Sequence, residues 1–271
     1  MKASVIFSTY NQTAWLEKTL QGFAAQDRRD FEVIVADDGS NDATLNLIDL
    51  LRRRLPYALK HVWQPDDGFQ KCKILNQAIT ASETDYLIFT DGDCTPRADF
   101  VSAHLRYRAP RRFLSGGYFK LPMSISEQID EADISTGRCF DLAWLRRQGL
   151  PFSARNVKLA AHGAGAALLD RLVTARASWN GHNASGWKHD VVAANGFDER
   201  MGYGGEDREL GERLENAGIG GKRIRHRAVV LHLDHPRGYR TAEALRTNRE
   251  IRDETQALNR TVTPCGIREA R

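Results

Sequence analysis

Apolar residues fall along this chain in two alternating rhythms. Near-continuous runs at 3–7, 31–36 and 86–90 predict strands buried on both faces, and a fourth run at 57–63 predicts another. Between them the spacing changes to that of a helix. Trp15, Leu16, Leu20 and Phe23 mark a helix over 13–26. Leu45, Ile48 and Leu51 mark one over 42–54, with Asn41 or Asp42 as its cap, and Ile74, Leu75 and Ala78 one over 68–80. Strands alternating with helices at this spacing imply an α/β fold with a parallel sheet and crossover helices.

The second half is less regular. A strand over 113–119 is interrupted by Gly116-Gly117, and 124–148 reads as mostly helical. The Gly- and His-rich stretch 161–189 supports no assignment. A short helix over 207–217 has Leu210, Leu214 and Ala217 on one face and Gly218 as its terminator. A strand over 228–233 and a polar closing helix over 241–258 complete the pattern. No repeat, low-complexity tract or linker divides the chain. The expectation is one domain over 1–240, with halves 1–110 and 111–240, followed by a basic helix and tail over 241–271.

Composition adds three constraints. The net charge of +4 gives no global signal for binding polyanions. Residues 222–271, however, hold twelve Lys or Arg against six Asp or Glu. That excess reads either as a solvated helical face or as an edge that touches anionic lipid or acidic glycan. Cys72, Cys94, Cys139 and Cys265 lack CxxC spacing, which argues against a zinc site or a disulfide framework and fits a reducing compartment. The N-terminus turns polar too early for a signal peptide, and no apolar run nears the roughly 20 residues that span a bilayer. The expected location is cytoplasmic, with peripheral contact at the inner membrane.

Chemistry gathers where the apolar runs stop. The first strand ends in Ser8-Thr9-Tyr10-Asn11, the second in Asp37-Asp38-Gly39-Ser40 and the fourth in Asp91-Gly92-Asp93. Groups just past strand C-termini are where open α/β sheets bind ligands. Asp38 is placed to accept a hydrogen bond from a nucleotide base or ribose, with Thr9, Tyr10 and Asn11 as the opposite wall; an Asp-Gly turn explains the same residues. Asp91 and Asp93 bring two like charges together past a buried strand, an arrangement that a hard divalent cation such as manganese or magnesium relieves. Gly204-Gly205-Glu206-Asp207 opens a helix whose dipole keeps Asp207 ionised, as a base requires, although a plain capping role also fits. Gly205 lets an acceptor approach closely. His232 is the candidate further metal ligand and His235 the other possibility. Trp187 is placed to stack on a sugar ring or to pack in the core. Gly116 and Gly117 are counted with the groups that bind the nucleotide sugar.

In this combination the sequence resembles the inverting, metal-dependent glycosyltransferases of family 2, which have the GT-A fold. Its second half is similar to the galactosyltransferase C-terminal region shared by animal β-1,4-galactosyltransferases and bacterial chondroitin polymerases. Three stretches carry the likeness: Phe69 to Asn76, similar to Phe-x-Arg-Ala-Lys-x-x-Asn; Asp91-Gly92-Asp93, matching DxD; and Asn195-Gly196-Phe197-Asp198-Glu199 followed by Gly202 to Asp207. It runs from about residue 3 to residue 237. The resemblance implies Asp93 and His232 as metal ligands, Asp38, Asp91, Lys73 and Asn76 around the nucleotide, Asp207 as catalytic base and Glu206 against a sugar. It implies a UDP-sugar donor, a manganese or magnesium cofactor, a saccharide or lipid-linked saccharide acceptor, and a role in bacterial surface glycan synthesis. Tyr203 stands where the family has Trp, and Lys71 where it has Arg. Two other readings stay open. Asp91-Gly92-Asp93-Cys94-Thr95 also fits the DxDxT motif of haloacid dehalogenase-like phosphatases, with Asp91 as nucleophile and Asp93 as general acid. A non-catalytic sugar-nucleotide-binding protein is the other.

Overall fold

A computed structural model describes residues 1–235 and 241–268. The first half follows the predicted alternation: β1 (Ala3–Thr9), α1 (Thr13–Ala24), β2 (Phe31–Asp37), α2 (Asp42–Arg52), β3 (Ala58–Trp63), α3 (Lys71–Ala81) and β4 (Tyr86–Asp91). Next come β5 (Cys94–Pro96), α4 (Phe100–Tyr107), β6 (Arg112–Ser115) and β7 (Gly117–Lys120). Five short helices follow: α5 (Met123–Gln128), α6 (Glu131–Ser135), α7 (Leu142–Arg147), α8 (Val157–Ala160) and α9 (Gly163–Leu172). The chain then forms β8 (Asn183–Trp187), α10 (Lys188–Ala193), α11 (Glu206–Asn216), β9 (Gly220–Arg223), β10 (Val229–His232) and α12 (Ala242–Ala257).

Seven strands make a central sheet in the order β3-β2-β1-β4-β8-β6-β9. It is mostly parallel, and β8 alone runs antiparallel to its neighbours β4 and β6. Helices flank both faces. Leu16, Leu20, Phe23, Ile48 and Phe100 cover one, and Ile74, Leu75, Ile79, Phe197 and Leu210 cover the other. A second sheet, β5-β10-β7, encloses a third core with α5 to α8 that includes Phe119, Ile125, Leu145 and Leu231.

The irregular half departs from its apolar pattern for local reasons. The stretch 124–148 is three helices, because Asp130 and Asp133 form a reciprocal cap at the start of α6 and Asp141 accepts the Trp144 N–H at 2.6 Å to start α7. The single strand expected over 113–119 divides at Gly116, sending β6 into the large sheet and β7 into the small one. In the unassigned stretch, β8 (Asn-Ala-Ser-Gly-Trp) lacks β-branched residues, yet its first four positions are buried. Its polar side chains face a buried network. Tyr86 Oη lies 2.8 Å from Ser185 Oγ, which lies 2.7 Å from His104 Nδ1. His104 Nε2 lies 3.0 Å from Asn183 Oδ1, and Asn183 Nδ2 donates to the Gly117 and Ala228 carbonyls. With the Asn183 amide committed as donor, His104 donates from Nε2 and accepts at Nδ1.

Candidate active site

The register of the parallel strands brings the first three motifs together. Thr9 pairs with Asp37 across β1 and β2, and Ser8 pairs with Asp91 across β1 and β4. This is where the strand order changes direction about β1, the usual crevice for a ligand. The loops are tied to the strand end: Asp38 N donates to Thr9 O and Gly92 N to Ser8 O, each at 3.0 Å. A Cβ on Gly92 would stand 2.8 Å from Ser8 O, so the turn between the two aspartates closes only around a glycine. The Thr9 hydroxyl is buried there with no hydrogen-bond partner among the described residues. Asp38 accepts from Gln64 Nε2 at 2.7 Å and from Gln70 N at 2.9 Å, and burial raises its pKa despite those bonds.

The small sheet supplies the histidines. Strand β5 leaves Asp93 and pairs antiparallel with β10, His232 opposite Cys94. Residues 139 positions apart thus become neighbours: His232 Nε2 lies 3.8 Å and His235 Nε2 2.7 Å from Asp93 Oδ2. The two imidazoles are parallel, 5.9 Å apart. Burial works against the Asp93 charge, but the His235 hydrogen bond and the two histidines hold its pKa down at about 2. Ligand atoms of Asp93, Cys94 and His232 lie within 4.8 Å of one another. Burial and the neighbouring carboxylates of Asp93 and Asp91 push the Cys94 thiol far up, which disfavours its thiolate form. One carboxylate and two imidazoles make a mixed oxygen–nitrogen donor set, which fits manganese better than magnesium.

Facing that cluster is the start of α11. Gly204 and Gly205 have φ of 111° and 101°, a left-handed turn that turns Glu206 and Asp207 into the cleft. Asp207 Oδ2 accepts the Gly181 N–H at 2.7 Å and its Oδ1 the Arg208 N–H at 2.8 Å, which leaves each oxygen a lone pair. Glu206 accepts the Gly204 N–H at 2.8 Å. Lys71, the first residue of α3, lies 2.9 Å from Asp91 Oδ1 and 3.9 Å from Glu206 Oε1. Burial opposes its charge, but Asp91 and Glu206 raise its pKa well above the ordinary value, so it stays a cation. Burial pushes Glu206 the other way, upward, against the pull of Lys71.

These groups line one cleft of about 850 Å³. Of the residues singled out from sequence, Thr9, Tyr10, Asp38, Asp91, Asp93, Gly205, Glu206, Asp207 and His232 lie on its wall. Six others lie elsewhere. Asn11 accepts the Asn41 N–H and shapes the loop before α2. Lys73 is exposed on α3, two positions past the lysine that reaches the cleft. Asn76 ties α3 to Phe197 and Glu199. Cβ atoms on Gly116 and Gly117 would collide with the Asn183 side chain and Arg225 O, so both serve packing. The Trp187 indole donates to Ala109 O at 2.9 Å and stands edge-on to Tyr86. The wall also includes Trp15, Asp66, Phe69, Lys71, His182 and His235. Lys71 is visible in sequence only as a departure from a motif. His182 sits in the unassigned stretch, where only its histidine-rich composition marks it.

Known proteins match the chain in two blocks. The model of glycosyl transferase family 2 matches residues 4–109, and a model described as the N-terminal domain of galactosyltransferase matches 177–236. An uncharacterized glycosyltransferase of Bacillus subtilis, YfnE, is 28% identical over 92% of this chain and 69% of its own length. Validoxylamine A glucosyltransferase of Streptomyces hygroscopicus subsp. jinggangensis is 31% identical over 80% of this chain and 52% of its own. The chain thus spans between about half and two thirds of these relatives. Among solved structures, the mannosyltransferase PcManGT from Pyrobaculum calidifontis, in complex with GDP-Man and Mn2+, superposes with a TM-score of 0.60. It is 21% identical, over 92% of this chain and 60% of that one, and it shares the fold.

Proposed function

The chain matches the model of glycosyl transferase family 2 over residues 4–109, and from that likeness we propose that it moves a hexose or N-acetylhexosamine from a nucleoside diphosphate sugar, UDP-linked in the simplest reading, to a saccharide hydroxyl. The observation that carries the reading is the meeting in one cleft of a carboxylate–imidazole cluster, Asp93 with His232 and His235, and a separate carboxylate, Asp207, held by backbone donors. Asp93 and the two histidines would hold a divalent cation, which when bound neutralises charge on the diphosphate. PcManGT, of the same fold, is named with such an ion.

In this reading Asp207 takes the proton of the acceptor hydroxyl. The hydroxyl oxygen forms a bond to the anomeric carbon as the carbon–oxygen bond to the diphosphate breaks, and the nucleoside diphosphate departs with that electron pair. Attack from the opposite face inverts the anomeric centre. Lys71 stays protonated and fixes Asp91 and Glu206 at the cleft wall, while Phe69 and Tyr203, edge-on at 6.0 Å, close it on one side. The half 1–110 supplies the nucleotide side and 111–240 the acceptor side. The phosphatase reading would use Asp91 as nucleophile and Asp93 as general acid, and it leaves Asp38 and Asp207, on the wall of the same cleft, without a role. Products of this kind fit assembly of a bacterial surface glycan, such as lipopolysaccharide or capsule.

Ligand-induced stabilisation tests the binding half without needing the acceptor. Nucleoside diphosphates should raise the melting temperature more with manganese or magnesium than with EDTA, since binding to the folded state alone stabilises it. Asp93→Ala should remove the metal-dependent part. An equal rise in EDTA would rule out the metal assignment.

A further inference from the structure

From its charge and exposed apolar side chains, we infer that the segment spanning α7 to the loop after α9, residues 142–176, is a docking surface for an anionic lipid bilayer. The segment holds six Lys or Arg and a single carboxylate, Asp170. That carboxylate faces inward: it is 4% exposed, accepts the His226 N–H at 2.9 Å and pairs with Arg227 at 2.7 Å. The outer surface therefore carries positive charge with no negative group of its own. It also carries large apolar side chains in water, with Phe152 82%, Leu172 66%, Leu168 56% and Val157 43% exposed.

Helix α9 shows the arrangement most clearly. Its buried positions are Ala166 and Asp170, four apart, whereas Ala164, Leu168 and Leu172 form a stripe at i, i+4 and i+8 on the solvent side. Apolar side chains bordered by arginines are the mark of a surface that lies in the headgroup region, the rings and chains entering it and the cations meeting phosphate. Arg146 sits 3.9 Å from the centre of the Phe152 ring. The inner side of α9 borders a second cavity of about 590 Å³, lined by six Lys or Arg against two Asp, with Arg97, Arg106 and Arg227 among them. That is room for a phosphate-bearing headgroup.

A second copy of the chain fits this surface poorly, because a two-fold contact would set its cations against themselves, and of the six only Arg176 has an ion-pair partner among the described residues, Glu215. The surface also adjoins the cleft. Lys158 donates to Tyr118 O at 3.2 Å, and the Tyr118 ring stands edge-on to His182 at 4.4 Å. A chain docked this way holds its cleft beside the bilayer, where a lipid-linked acceptor is presented. That consequence rests on the proposed reaction, whereas the docking does not.

Sedimentation of the full chain with vesicles of phosphatidylcholine alone, or with about 30 mol % phosphatidylglycerol, at low and high salt, tests the inference. Binding is expected to the anionic vesicles only and to weaken with salt. Arg155→Ala/Arg171→Ala should weaken it about thirtyfold, and Leu168→Ser/Leu172→Ser about tenfold or more. Phe152→Ser, at the most exposed position, should weaken it without lowering the melting temperature. Arg246→Ala/Arg249→Ala on α12 should leave it nearly unchanged. No binding to anionic vesicles, equal binding to both lipids, or wild-type binding by the Arg155/Arg171 and Leu168/Leu172 variants would overturn the inference. Intact vesicle binding with no sugar transfer would count against the proposed reaction instead.

Discussion

At the scale of single residues, Asp207 and His104 carry the sharpest expectations. Asp207→Asn keeps shape but cannot take a proton, so turnover should fall by about two to four orders of magnitude while donor affinity, measured by calorimetry, stays nearly constant. Turnover within about tenfold of wild type would remove Asp207 from the role of base. His104 is fully buried, and burial depresses its pKa to about 3 from an ordinary 6.5. Between those values the unfolded chain binds a proton that the folded chain refuses. Stability should therefore be insensitive to this group above about pH 6.5 and fall below it, by up to about 1.4 kcal/mol per pH unit. Burial lowers His182 in the same sense. Denaturant midpoints at about pH 7.5, 6 and 5 should decline, and His104→Gln should shallow the decline. A flat wild-type profile would contradict the buried neutral imidazole.

At the scale of elements, α12 acts on the site from outside it. Its buried Asn248 accepts the Gly202 N–H at 3.1 Å and donates to the Gly202 and Gly204 carbonyls at 2.8 and 3.0 Å, clamping the loop that presents Glu206 and Asp207. Asn248→Ala should cost about 1–3 kcal/mol, read as a lower melting temperature, and reduce kcat more than it raises KM. Unchanged kcat would make the clamp purely structural. The sequence suggested α12 as a polar, basic helix, yet Arg252 is paired with Glu212 at 2.5 Å and Arg260, past the helix end, with Glu254 at 2.6 Å. Arg237, Arg240 and Arg271 of that basic stretch lie outside the described residues. The β1 to β4 half was legible because β1, β2 and β4, parallel and buried almost throughout, write themselves as apolar runs. Strand β8 was not, since Asn183 and Ser185 are there for a hydrogen-bond network that periodicity does not encode. The meeting of His232 with Asp93 was suggested by ligand chemistry and by the family resemblance, because the β5–β10 pairing that produces it leaves no mark on either segment. Lys73 and Lys71 show the limit of a motif: only one of two lysines at i and i+2 on a helix can face the cleft.

At the scale of the molecule, the functional groups collect at the carboxyl edge of the central sheet, where the small sheet and the α11 loop close over it. No helix among the described residues is long and apolar enough to cross a membrane. If this cleft breaks a nucleotide–sugar bond with Asp207 as base, product analysis reads it directly. The wild-type chain and Asp207→Asn would be incubated with a panel of nucleotide sugars, saccharide acceptors and manganese, and the released nucleotide and the new anomeric linkage identified by chromatography and NMR. Nucleoside diphosphate and a glycoside of inverted configuration are expected from the wild type, and neither from the variant. Release of inorganic phosphate, retention of configuration, or equal product from Asp207→Asn would contradict that reading.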